Sequence, residues 1–292
     1  MSPAPAQRLP FAIRNPAILD ALEPYVVVSP FNLGCLDLAP FGLAVPAAHI
    51  IDPLRVASET FLSLLQRLDQ ITFGPEGMPM PRWVFFDCAE LPGAIYGLGR
   101  PAAALADDER DLFGVPAGYE GLVPYSMYVA LPMNRAGVWF GHNLCSIAPA
   151  LRGAGIRRLD LTGLGSVTKG LALACLGVKQ FWGATQWDSK ALFIHSKFGP
   201  LDLTTAWTPA HSEAETLTYG FAVSERNLRA SMGDSTVVLE RPAADFEIHA
   251  SDRDGMQDLQ RRIEAGERFC VPAAPRIDPM GMFVPISELQ RT

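Results

Sequence analysis

Apolar and polar positions alternate with a period near two along much of the carboxy-terminal half of the chain. On that basis Lys179–Trp187, Ala191–Lys197, Asp202–Trp207, Thr216–Val223, Ser235–Glu240 and Phe246–His249 read as strands. Phe269–Val271 and Met282–Ile286 close the series. Upstream, Tyr25–Val28, Arg82–Ala89 and Ala94–Leu98 have the same character, the last two joined at Leu91-Pro92-Gly93, and Leu159–Leu161 is a further short candidate. Tyr125–Leu131 and Val138–Leu144 flank Asn134-Arg135-Ala136-Gly137 and predict a hairpin.

Three stretches keep a helical period instead. From Asp52, with Pro53 at the first helical position, to about Ile71, the residues Leu54, Ala57, Phe61, Leu65 and Leu68 recur at three or four. A shorter helix is expected from Ser166, as N-cap, to Leu176, closed by Gly177. A late one over Asp252–Ala265 carries Met256, Leu259 and Ile263 on one stripe. Strands outnumber helices, and few helices separate them. The expectation is therefore an α+β fold: a β-rich, mostly antiparallel and barrel-like sheet in a single domain over residues 1–292, with a few helices packed outside. Residues 1–24, rich in Pro and Ala, are expected to wrap the surface, and the polar, acidic residues 101–121 to form an insert.

Composition fits that picture. Apolar residues make up 49% and charged residues 19%, the balance of a core-forming globular chain, and 25 Gly with 25 Pro suit many turns. The net charge of −7 argues against nucleic acid or an anionic membrane as partner, since either needs a basic face. The five cysteines are odd in number, widely spaced and lack any CxxC, so free thiols and a reducing, cytoplasmic setting are expected. No window reaches eighteen apolar residues, and the amino terminus lacks a charged region followed by a continuous apolar one.

All four lysines, Lys169, Lys179, Lys190 and Lys197, fall in the stretch Asp160–His211, while the other basic residues are twenty arginines spread over the chain. Only an amine can lose its proton near neutral pH and attack a carbonyl. Lys169 sits in Gly163–Leu171, GLGSVTKGL, where glycines turn into a helix. There Gly165 and Ser166 would present backbone N–H groups to a carboxylate or phosphate. An amine near that positive helix end, among Leu171, Leu173 and Leu176, is disfavoured as a cation and would titrate low, as a Schiff-base lysine must.

The strand PYSMYVALP, the turn and helix around Lys169 with Leu-Ala after it, and the strand that follows resemble the acetoacetate decarboxylase-like family, over roughly residues 90–200. The family's turn is Gly-Phe-Pro-Lys-Lys, where this chain has Gly165-Ser166-Val167-Thr168-Lys169, without the proline or a second lysine. Pro92-Gly93-Ala94-Ile95-Tyr96 matches its upstream strand, with Gly97 and Leu98 where its carboxylate stands. The resemblance implies a lyase acting on a small keto acid or keto-acyl compound through a Schiff base on Lys169, with Tyr96 near the substrate. Glu90 or Glu120 would then serve as acid/base with His142 as a further proton donor, and Arg100 ahead of Arg135 would hold the carboxylate bidentately. Trp182 is one of four tryptophans (with Trp139, Trp187 and Trp207) that would dry such a pocket.

Other readings compete. Ile147–Ile156, IAPALRGAGI, is similar to the cofactor loop of the GNAT acetyltransferases, which implies acyl transfer from a CoA thioester. His142, His195 and His211 sit in or beside predicted strands, where a three-His metal site is conceivable. A binding or assembly protein with an apolar mating surface is the third. The favoured reading needs no cofactor and no metal. Its expected partner is a small organic acid or acyl substrate, and a homo-oligomer is compatible with it.

Overall fold

A computed structural model describes residues 9–82, 93–209 and 215–290. The predicted strand Arg82–Ala89, Glu90 and His211 fall in whole or nearly so outside these residues. Within them the chain builds twelve strands and eight α-helices. Helix α1 (Ala17–Ala21) leads into β1 (Glu23–Val27), and after three single 3₁₀ turns comes β2 (Ile50–Ile51). Helix α2 (Glu59–Phe73) starts seven residues later than the periodicity suggests. The Asp52 carboxylate accepts from Leu54 N–H and Arg55 Nε, and its carbonyl accepts from Ser58 Oγ, so the approach folds as a side-chain-closed turn that leaves Leu54 exposed.

Strand β3 (Ala94–Pro101) is followed by α3 (Asp107–Phe113), β4 (Leu122–Pro132), β5 (Val138–Ser146), α4 (Ala148–Gly153) and α5 (Leu164–Cys175). Beyond α5 lie β6 (Gln180–Gln186), α6 (Leu192–His195), β7 (Leu201–Thr205), β8 (Thr216–Ala222) and α7 (Glu225–Met232). The chain ends with β9 (Phe246–His249), α8 (Arg253–Glu264), β10 (Arg268–Val271), β11 (Arg276–Asp278) and β12 (Gly281–Leu289). The β4–β5 hairpin pairs antiparallel as expected. Three expectations fail. Ala191–Lys197 is helical, Ser235–Glu240 is irregular, and Leu159–Leu161 is not a strand. Helix α7 carries no long apolar stripe; the Ser224 hydroxyl and the Asn227 side chain close its first turn reciprocally.

One sheet takes in all twelve strands, in the order β11-β12-β10-β7-β8-β6-β5-β4-β3-β1-β2, with β9 beside β12. Pairing is antiparallel except for β1–β2 and β5–β6. Among the described residues the path does not return on itself: the sheet is mostly antiparallel as expected, open and not closed into a barrel, and ends on two short edges of two and three residues. Side-chain alternation splits the central strands between two helices. Tyr25 and Gly97 face α2, where the Tyr25 and Phe61 rings meet at 5.0 Å, and Tyr96 and Tyr128, opposite one another across β3 and β4, face α5. Helix α5 packs on the outside of the sheet, as expected, but every residue of it except Ala174 is buried, so it belongs to the core. The sheet covers one side of it and α7 the other; Gly170 permits that approach, since a Cβ there would meet Met232 Sδ at 3.1 Å.

Two further expectations change. The 101–121 segment is anchored, because α3 buries Glu109 and Phe113. Within residues 9–24, Ile13, Ile18 and Leu22 insert into the core. No helix among the described residues is long and apolar enough to cross a membrane.

Candidate active site

Lys169 is fully buried in the middle of α5. The helix begins at Leu164, not Ser166: Gly163 takes the left-handed conformation (φ +90°) that a glycine adopts without strain, and Leu164 N–H bonds to Leu161 O. Lys169 is thus beyond the first turn, and the dipole argument for its titration loses force. Burial alone suffices to push its pKa well below the ordinary lysine range.

The amine ends inside a box of aromatic rings drawn from three elements and a turn. Nζ lies 4.1 Å from the centroid of Phe181 on β6, 4.9 Å from Phe198 after α6, and 5.4 Å and 5.9 Å from Phe221 and Tyr219 on β8. Tyr128 on β4 completes it at 5.8 Å. Two strand glycines make room. A Cβ on Gly141 would meet the Tyr128 hydroxyl and Phe181 Cζ at 2.6 Å, and one on Gly183 would meet Tyr219 Oη at 2.9 Å.

One polar side chain reaches the amine. His195 Nδ1 is 2.8 Å from Lys169 Nζ, and its ring packs 5.3 Å from that of Tyr219. Burial first, and the neighbouring lysine second, hold His195 well below its ordinary pKa. Burial disfavours the charged form of both groups, and they form a hydrogen-bonded pair in which either nitrogen can donate. The Tyr128 hydroxyl is buried without a hydrogen-bond partner among the described residues. The ring that carries this orphan hydroxyl is one wall of the box around the amine.

The predicted site residues divide. Tyr96 is buried on the α5 side of the sheet with its hydroxyl also unpartnered, but it feels Cys175 and Asp37, toward the far end of α5. Ser166 is buried one turn before Lys169, where its hydroxyl accepts from Lys197 Nζ at 3.0 Å, and Gly165 packs against Ile194. Arg100 is committed elsewhere. It contacts buried Glu109 at 3.1 Å, and that carboxylate also accepts from Tyr125 Oη (2.9 Å) and Ala106 N (3.0 Å). Glu120 is exposed beside β4, and Arg135 is exposed in the hairpin turn. His142 is exposed on β5, where the nearby charge is Asp69. Trp182 lies on the opposite face of β6 from Phe181, over Gly220. Glu90 lies outside the described residues, as does His211 of the conjectured metal triad. Among the described residues no group of His, Cys, Asp or Glu is placed to hold a metal ion.

His195 as a partner for Lys169 was not foreseen, because the period-two reading of ALFIHSKF put it on a strand. The alternative signal was present: Leu192, His195 and Ser196 are buried at helical spacing. In comparisons with known proteins, no family model matches the chain and no curated protein matches it in sequence.

Proposed function

We propose that the protein is a lyase that works through a Schiff base on Lys169, acting on a small keto acid or keto-acyl compound. The observation that carries this reading is the fully buried Lys169, its pKa pushed well below the ordinary lysine range by burial, hydrogen-bonded to His195 and with no carboxylate beside it among the described residues. Removing an amine from water without an acid to neutralise it costs stability, and such an amine is a nucleophile at neutral pH. The unpartnered Tyr128 hydroxyl supports the same reading.

The chemistry balances with these groups alone. Lys169 Nζ attacks the substrate carbonyl carbon; the carbinolamine loses water and an iminium forms. The bond from the α-carbon to the carboxylate breaks, its electrons pass into the iminium, and carbon dioxide leaves an enamine. A proton returns to that carbon and water releases the ketone and the free amine, so one proton is consumed per carbon dioxide. His195 is placed to carry protons to and from nitrogen, the role assigned from sequence to Glu90, Glu120 or His142. Aldol or dehydration chemistry would use the same iminium. Because Lys169 has no exposed surface, the box must open for substrate, and Phe198 and α6 are the walls formed by a short helix and turn.

The test is intact mass after incubation with acetoacetate or pyruvate and borohydride, for wild type and Lys169→Met. A reduced adduct in wild type that is missing in the variant is the expected result. Absence of adduct with a panel of keto acids removes the reading for those substrates.

A further inference from the structure

A cavity of about 220 Å³ lies where residues 14–15, the start of α5, the turn after α6 and the end of α7 meet. Arg14 and Lys197 both line it, and no acidic residue does, in a chain with 31 acidic residues against 24 basic ones. Neither cation has an ion pair among the described residues. Lys197 is half-buried, and the hydrogen bond it makes is to the neutral Ser166 hydroxyl. Two cations that share a cavity without a counter-charge repel each other. Burial and then the Arg14 charge accordingly depress the Lys197 pKa.

Arg14 is exposed, but its backbone is held in place. Its backbone N–H bonds to Met232 O at 3.0 Å, and the adjoining Asn15 side chain donates to Asp160 O (2.9 Å) and Thr162 O (3.3 Å), which fixes the segment across the start of α5. The cap position of α5, Gly163, has no side chain to cover the helix start, and Gly163, Ser166 and Val167 line the same cavity, while the Leu164 N–H is taken by Leu161 O.

We propose that this cavity binds the oxyanion group, phosphate or carboxylate, of a small metabolite. Arg14 and Lys197 supply the counter-charge, and the Ser166 hydroxyl and the first-turn amides supply neutral donors. The site stands without Lys169 chemistry. It also adjoins that chemistry, since Ser166 is three residues before Lys169, about 4.5 Å along the helix axis. An acid held by these two cations has the charge partner that Arg100, engaged with Glu109, does not offer.

The test is calorimetric titration of the full-length protein with inorganic phosphate and, separately, with acetate. Neither forms an imine, so the outcome is independent of the Schiff-base reading. Saturable binding in one arm, weakened about tenfold or more by Lys197→Gln and by Arg14→Gln but not by Lys190→Gln, is the expected result. The stronger arm tells phosphate from carboxylate. Thermal melts with and without the same ions check that each variant is folded. No saturable binding in either arm, or binding that both substitutions leave unchanged, overturns the proposal.

Discussion

Lys169 Nζ and His195 Nδ1 meet at 2.8 Å inside a wall of aromatic rings, with no carboxylate in the pair. The two are 26 residues apart in sequence and come from different helices, α5 and α6. Burial disfavours the charged form of both, and the lysine further disfavours that of His195.

Replacing Lys169 by methionine leaves an unbranched apolar side chain one atom shorter and removes the cost of burying an amine. Lys169→Met is expected to raise stability at pH 7 by about 1–3 kcal/mol while abolishing any reduced keto-acid adduct. Denaturant titration beside intact mass reads both. A variant that is less stable would mean that the amine contributes structurally.

The same residue sets a pH dependence. The unfolded lysine holds its proton up to about pH 10.4, and the folded one has lost it well below that. Between the two the unfolded state binds more protons, so this contribution to stability rises with pH, by up to about 1.4 kcal/mol per unit. The advantage of Lys169→Met should therefore shrink from pH 7 toward pH 10. A constant difference across that range would show that folded Lys169 keeps its proton.

His195 can be tested apart from the nucleophile. His195→Phe keeps an aromatic ring against Tyr219 and removes the proton carrier. Borohydride trapping on Lys169 should persist, while turnover of a decarboxylated substrate falls by about 10²–10⁴. Loss of the adduct itself would make His195 a positioning residue for the amine. On the acid side, wild-type stability should fall below about pH 6.5, where the unfolded histidine binds a proton that the folded one refuses.

Gly141 and Arg100 probe the box and the polar cluster beyond it. Gly141→Ala puts a methyl group into Tyr128 and Phe181, with an expected loss of about 1–3 kcal/mol and of adduct yield at temperatures where the fold persists. Arg100→Met strands the buried Glu109 charge and should cost about 3–5 kcal/mol, yet leave trapping on Lys169 intact in the cold. An Arg100 variant that stays stable and loses affinity for keto acids would return Arg100 to the substrate.

Much of the framework follows from local pattern. The alternation in Thr216–Ala222 and Leu122–Pro132, the hairpin turn before Val138, and the stripe Met256–Leu259 each specify an element from neighbouring residues alone. The start of α2 and the strand expected over 191–197 did not follow. A side-chain-closed turn at Asp52 and burial from three directions around His195 override the simple period. The residues of Gly163–Lys169 marked an unusual lysine, because an amine in an apolar helix is costly wherever it falls. Its partner and its ring walls depend on how β4, β6, β8 and α6 converge in space. Arg14 and Lys197, 183 positions apart in sequence, line one cavity, and Lys169 meets His195 from a different helix. Such long-range encounters leave no periodic trace, since they are set by which sheet face and which helix end the chain returns to.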